Sequence, residues 1–116
     1  MERRIDFYCW NRCSTCRKAR DFLLQRKVEL HDRDFFKNPF TRDELEKLLQ
    51  GRSASEMFSF KSPSFKKLGL DKNALSDGEL IDLMLKEPRL IRRPVVSIDG
   101  ESHFGAGESV LRELID

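Results

Sequence analysis

The chain has 116 residues, 39% hydrophobic and 36% charged, a composition that fits one compact domain and excludes collagen-like repetition and intrinsic disorder. Nine Phe supply large side chains for burial, so folding is not expected to need disulfide staples. No apolar run approaches the roughly 20 residues of a membrane span or the roughly 7–15 of a signal-peptide core, and a net charge of +2 is no nucleic-acid footprint; a soluble, cytoplasmic protein with no membrane and no direct nucleic-acid partner is expected.

Ile5-Asp6-Phe7-Tyr8-Cys9 alternates and is rich in strand formers, which predicts a first strand. From Cys13 onward Cys16, Ala19, Phe22 and Leu23 fall at helical spacings with no Gly or Pro before Val28, so a helix of about 13 residues follows. Val28-Glu29-Leu30-His31-Asp32 alternates again and reads as a second strand, completing a β-α-β unit with parallel strands.

Residues from about 38 to 90 carry helical signals. Thr41 with Glu44, and Ser76 with Glu79, are capping boxes, and Ser62-Pro63 places proline at a first helical position. Gly69 closes the short helix behind Lys66-Lys67, and Pro88 ends the last helix of this insert. Pro94 to Ile98 then reads as a strand, Asp99-Gly100 as a hairpin turn and Ser102-His103-Phe104 as the returning strand. Gly105-Ala106-Gly107 is expected to be flexible, and Val110, Leu111, Leu114 and Ile115 mark a C-terminal amphipathic helix. The class is therefore α/β, with βαβ and ββα halves separated by a helical insert in a single domain.

Three cysteines, Cys9, Cys13 and Cys16, cluster near the start and none occurs elsewhere. An odd, clustered set containing C-x-x-C, with no export signal, points to redox or metal chemistry rather than a disulfide framework. The first twenty residues carry six basic side chains against two acidic, a net +4. Cys13 lies where strand gives way to helix, so helix N–H groups and the nearby Arg12, Arg17 and Lys18 are expected to favour its thiolate. Cys16, one turn further on the same face, is within reach of a disulfide with it, the arrangement of an attacking thiolate and a resolving thiol. Two other readings compete. C-x-x-C is half of a zinc site, but a closed site needs four ligands and only Cys9, His31 and His103 remain; no metal is expected. Inert buried cysteines are the other, and Cys9, on a central strand, reads as core.

Arg92-Arg93-Pro94 opens the third strand. A proline there cannot donate to the sheet ladder, and in a cis peptide it would set a backbone edge beside the cysteines, although most X-Pro bonds are trans. Arg93 matters to the chemistry if the fold brings it to Cys13.

YCWNRCSTCRKARDFL (Tyr8 to Leu23), TRDELEKLL, KKLGLD and LSDGELIDLMLKEPRLIRRPVV, in that order, resemble the arsenate reductase/Spx family of thioredoxin-fold proteins along essentially the whole chain. The resemblance implies a thioredoxin-like mixed sheet with a helical insert, Cys13 as nucleophile, Cys16 as the second cysteine of Spx-type regulators, and Arg93 before Pro94 as an oxyanion-binding arginine. Ser14 and Thr15 would offer N–H groups and hydroxyls to a bound sulfur or oxyanion, and Pro94 would shape the docking edge. Two positions depart from the reductase pattern: Ser59, with Lys61 the nearest cation, stands at one further arginine, and Gly105-Ala106-Gly107 at another. Losing charge-assisted bonds worth about 1.5–3 kcal/mol each argues against efficient arsenate reduction. Gly51 falls where Spx proteins carry a glycine that contacts RNA polymerase, and it also reads as an ordinary helix cap.

The expected function is thiol-disulfide exchange through the C-x-x-C motif. A redox-sensing regulator that binds RNA polymerase and a glutaredoxin-dependent arsenate reductase are the alternatives. No bound cofactor is expected; glutathione is a candidate reductant. A small oxyanion, glutathione or glutaredoxin is the expected partner of a monomer.

Overall fold

Alternation along β1 (Arg3–Cys9) buries Ile5, Phe7 and Cys9 and leaves Asp6 and Tyr8 half-buried. In the computed structural model, which describes residues 3–116, this strand is the axis of a four-stranded mixed sheet. β2 (Val28–Asp34) pairs parallel to one side of β1, and β3 (Val95–Ile98) pairs antiparallel to the other. β4 (Glu101–Phe104) runs antiparallel beyond β3, giving the order β2-β1-β3-β4. The parallel pair requires a crossover, and α1 (Ser14–Leu24) supplies it.

Two compact units are formed: the chain up to Asn38 together with Arg93–Asp116, and Pro39–Arg92. In the first, Ile5 lies opposite Ile98 and Phe7 opposite Val96, so these four point to one face of the sheet. On that face they pack with Cys16, Ala19, Phe22 and Leu23 of α1 and with Leu111 of α5 (Glu108–Ile115). Each fully buried large side chain contributes about 1.5–3 kcal/mol, which fixes the start of α1 against the end of β1. In the second unit α2 (Arg42–Leu49), α3 (Pro63–Leu68) and α4 (Asp77–Lys86) bury Leu45, Leu49, Phe65, Leu80, Ile81 and Met84. Both capping boxes form as the sequence predicts, with Glu44 N–H on Thr41 Oγ1 at 3.2 Å and Glu79 N–H on Ser76 Oγ at 3.2 Å.

Three local features differ from the sequence reading. α1 is 11 residues rather than about 13; beyond it Arg26 turns back to stack over Phe22 at 3.9 Å and pair with Asp116 at 2.9 Å. Gly105-Ala106-Gly107 is anchored: Ala106 is fully buried and its N–H donates to the Pro94 carbonyl at 3.0 Å. At the end of α2 the left-handed cap is Gln50 (φ 54°), with Gly51 (φ 81°) one residue later.

The Asp99-Gly100 turn has positive φ at both positions, 49° and 91°, as a two-residue hairpin on a right-twisted ribbon requires. Nothing lies within 4 Å of a Cβ built on Gly100, so Gly100→Ala costs backbone strain alone. It is expected to lower stability by about 1–2 kcal/mol, read as a shifted denaturation midpoint at unchanged slope. Gly78→Ala, in the first turn of α4 with its nearest neighbour at 4.0 Å, is expected to be neutral or stabilising by about 0.4–1 kcal/mol.

Candidate active site

Cys13 is the N-cap of α1 (φ −90°, ψ 120°): its carbonyl accepts the Arg17 N–H at 3.1 Å, and its own N–H donates to Trp10 O at 2.9 Å. The loop from β1 thus closes in one turn, leaving the Cys13 sulfur half-buried at the mouth of the helix. Cys16, one turn on, is 1% exposed and points into the core. All three cysteines are free thiols.

Burial pushes the Cys13 thiol up, but it is outweighed. The Cys16 backbone N–H, the Cys16 thiol and the Arg93 guanidinium act on the Cys13 sulfur and bring its pKa below the ordinary value, although the Cys13 side chain makes no cap hydrogen bond to the helix. Cys16 is pushed up to about 12, first by burial, with the Trp10 backbone N–H pulling the other way and Cys13 and Cys9 pushing it up again. One thiol is poised to ionise and its neighbour to stay protonated, and that proton is donated to the first sulfur. Arg12, Arg17 and Lys18, expected from the sequence to share in this effect, are exposed to solvent, where water screens them; the influences that lower the value are Cys16 and Arg93.

Arg93 reaches Cys13 because β3 runs antiparallel beside β1, in register from Tyr8–Val95 to Ile5–Ile98. The Arg93–Pro94 peptide is cis. The guanidinium lies 5.3 Å from the Trp10 ring centroid and 5.8 Å from that of Phe36. These two rings stack on each other at 4.2 Å and 12°, forming an aromatic support for the cation. Asp34 shapes the loop beneath, accepting N–H bonds from Asn11 at 3.3 Å and Phe36 at 2.9 Å. Trp10, Phe36 and Asp34 were not singled out in the sequence, where the available signals were a lone Trp inside the cysteine motif and a Phe-Phe pair after the second strand.

Ser14 and Thr15 occupy the exposed first turn of α1. A Cβ added at Gly107 would lie 3.2 Å from Thr15 Cγ2, so the start of α5 borders the same turn. Pro94 is buried, its carbonyl held by Ala106. The structure therefore gathers Cys13, Cys16 and Arg93, with Ser14, Thr15 and Pro94 at the margin. Ser59, Lys61 and Gly51 lie in the Pro39–Arg92 unit.

Cys9 is 3% exposed, and its thiol approaches Asp32 Oδ1 at 3.6 Å. Burial first, then Asp32, pushes it up to about 12. It is a core residue. Among the described residues no three His, Cys, Asp or Glu side chains come together so as to hold a metal ion, and His31 lies beside Glu29 at 3.1 Å. No helix among them is long and apolar enough to cross a membrane.

The chain is similar to known proteins in both sequence and fold. Residues 8–114 match the model of the ArsC family. The chain is 33% identical over 105 residues to the global transcriptional regulator Spx of Streptococcus pyogenes serotype M1, covering 89% of this chain and 78% of that protein. It is 31% identical over 98 residues to the regulatory protein MgsR of Bacillus subtilis strain 168, covering 83% and 78% respectively. An arsenate reductase from Vibrio cholerae superposes with a TM-score of 0.83 at 26% identity, over 97% of this chain and 98% of that one. The mixed sheet with its βαβ and ββα halves is the thioredoxin-like fold that the motifs implied. Matched across nearly its full length in both sequence and structure, the chain belongs to the ArsC family.

Proposed function

We propose that the protein carries out thiol-disulfide exchange with Cys13 as nucleophile and Cys16 as resolving thiol. The family match, the Spx and MgsR relatives and the arsenate reductase neighbour support a thiol-based redox protein. The observation that carries the finer reading is the placement of two free thiols one helical turn apart, Cys13 half-buried at the N-cap of α1 and Cys16 buried behind it, and the surroundings push their pKa values in opposite directions, Cys13 down and Cys16 up.

In this mechanism the Cys13 thiolate attacks one sulfur of a substrate disulfide. A Cys13–substrate bond forms, the substrate S–S bond breaks, and the other half leaves as thiolate. With Cys13 no longer anionic, one of the influences holding the Cys16 proton is gone, while the Trp10 N–H still favours its thiolate. Cys16 attacks the Cys13 sulfur, the Cys13–substrate bond breaks as the intramolecular disulfide forms, and the Cys16 proton leaves with the second substrate half as its thiol. The substrate gains two electrons and the protein loses two, which an external thiol such as glutathione, or glutaredoxin, restores. Arg93 stabilises the attacking thiolate and attracts an anionic substrate, while Ser14, Thr15 and Pro94 border the docking surface.

A second reading has its own support. The Spx and MgsR relatives are regulators by name, and Gly51 is exposed with φ 81° and open space around it, at the place where the resemblance puts an RNA polymerase contact. Under this reading the Cys13–Cys16 pair is a sensor, and RNA polymerase co-purifies only with the oxidised form. Under the first reading the protein turns over and co-purification does not depend on oxidation state.

The lowered Cys13 value has a definite sign in a pH profile. Thiolate accumulates as pH rises through the folded-state value, so iodoacetamide alkylation of Cys13 is expected to reach its plateau below the ordinary thiol range. Arg93→Ala moves the midpoint upward; an unchanged midpoint would remove Arg93 from the site.

Cys16→Ser is expected to accumulate a mixed disulfide between Cys13 and a glutathione-derived thiol, seen as an added mass. Cys13→Ser abolishes exchange. Equal residual activity in the two variants contradicts the division of roles.

In an assay coupled to NADPH through glutathione and glutaredoxin, arsenate is expected to give little or no rate above background, because Ser59 and Gly105-Ala106-Gly107 supply no guanidinium. A robust rate abolished by Arg93→Ala would establish the arsenate reductase alternative.

A further inference from the structure

The Pro39–Arg92 unit contains a cavity of about 590 Å³ whose wall includes Phe58, Phe60, Phe65, Lys61, Lys72 and Arg92, with two serines completing it. We propose that this cavity is a binding site for a small aromatic ring bearing a phosphate group.

Backbone pairing builds the wall. Phe58 forms an antiparallel bridge with Ile91, the Ser59 N–H donates to Leu90 O at 2.6 Å, and the Arg92 N–H donates to Met57 O at 2.8 Å. These bonds carry Arg92 to the cavity, and its Nη1 donates to the Glu56 carbonyl at 2.9 Å. That bond fixes the guanidinium without neutralising it, because the acceptor is a neutral backbone oxygen. Lys61 and Lys72 are exposed, and Lys72 Nζ stands 5.8 Å from the Phe60 ring centroid.

The three aromatic rings divide the work. Phe58 and Phe65 are 1% and 8% exposed, whereas Phe60 is only half-buried. Phe60 sits 4.7 Å from Phe58 and meets Phe65 edge to face at 5.4 Å. Buried neighbours thus hold the Phe60 ring in place while part of its surface remains open to the cavity, the arrangement of a stacking platform. The lining includes three cations and no carboxylate. Three cations with no carboxylate among the lining residues raise the positive potential of the wall, and a bound anion lowers it. An apolar ring surface beside these cations, in a cavity of the size that small ligands occupy, selects a molecule that is aromatic and anionic together. Neither property alone uses the whole wall.

The test is an NMR titration of the full chain with 1-naphthyl phosphate, following the ring signals of Phe58, Phe60 and Phe65, with 1-naphthol and inorganic phosphate as probes that each lack one feature. Saturable one-to-one binding is expected, centred on Phe60, with both partial probes weaker by about tenfold or more, as for loss of a charge-assisted contact or an aromatic contact. Lys61→Met and Lys72→Met replace exposed cations, so the fold is retained, and each is expected to weaken 1-naphthyl phosphate about tenfold. Lys72→Met leaves the alkylation profile of Cys13 unchanged. Absence of saturable binding overturns the proposal, as does equal binding of 1-naphthol or of inorganic phosphate. Shifts centred on Trp10 and Arg93 overturn it too, since they would assign the ligand to the thiol site.

Discussion

A thiolate in a half-buried position exists only where donors replace the water it has lost. At Cys13 burial is the largest single influence and opposes ionisation; the lowered pKa therefore depends on three donors acting together. Two come from Cys16, through its backbone N–H and its thiol, and the third is Arg93. Hydrogen bonds to an ionised group are worth about 1.5–3 kcal/mol each, so several can outweigh partial burial where one would be marginal. Cys13 is the N-cap of α1, next to the first turn, whose N–H groups lack backbone partners, although its side chain closes no cap hydrogen bond to them. The proposed thiol-disulfide exchange requires this balance.

Arg93 comes from the far end of the sequence, and its position is a consequence of sheet topology. β3 is buried along its whole length, with β1 on one side and β4 on the other, so a one-residue slip would carry Val96 and Ile98 off the face they share with Ile5 and Phe7. That register sets Arg93, two residues before the strand, beside the loop that follows β1. The stacked Trp10 and Phe36 rings then limit where the guanidinium can lie, and Trp10 also donates its backbone N–H to Cys16. A single loop residue thus bears on both thiols: its backbone favours the Cys16 thiolate, and its ring borders the cation that favours the Cys13 thiolate.

Much of the fold was legible because local signals agreed with one another. Both capping boxes, the Ser62-Pro63 start, the Gly69 stop and the Asp99-Gly100 turn are short-range interactions between neighbours in the chain, and each formed as read. Cys13 and Cys16 were legible for the same reason, being one helical turn apart. The Trp10–Phe36 stack was not, because it joins a loop after β1 to a loop after β2, and residue spacing carries no information about such a meeting. Gly105-Ala106-Gly107 was misread for a related reason: two glycines indicate conformational freedom, while the constraint comes from Ala106, buried and bonded to the carbonyl of Pro94. Exposed Arg12, Arg17 and Lys18 were credited by proximity in sequence, although solvent screening depends on exposure.

The three cysteines show how environment rather than residue type divides chemical roles. Cys9 and Cys16 are both buried and both pushed up to about 12, but for different reasons beyond burial. Cys9 faces the Asp32 carboxylate, whose charge opposes a second anion permanently. Arg20, paired to Asp32 at 2.8 Å, is engaged with that carboxylate and offsets the effect only in part. Cys16 is opposed in part by Cys13, and that opposition disappears when Cys13 becomes covalently bonded. A buried thiol can therefore be inert beside an aspartate and conditionally reactive beside another cysteine. In the proposed exchange, such an arrangement lets Cys9 sit close to the Cys13–Cys16 pair without competing for the substrate, since attack requires thiolate and burial beside Asp32 holds the Cys9 proton.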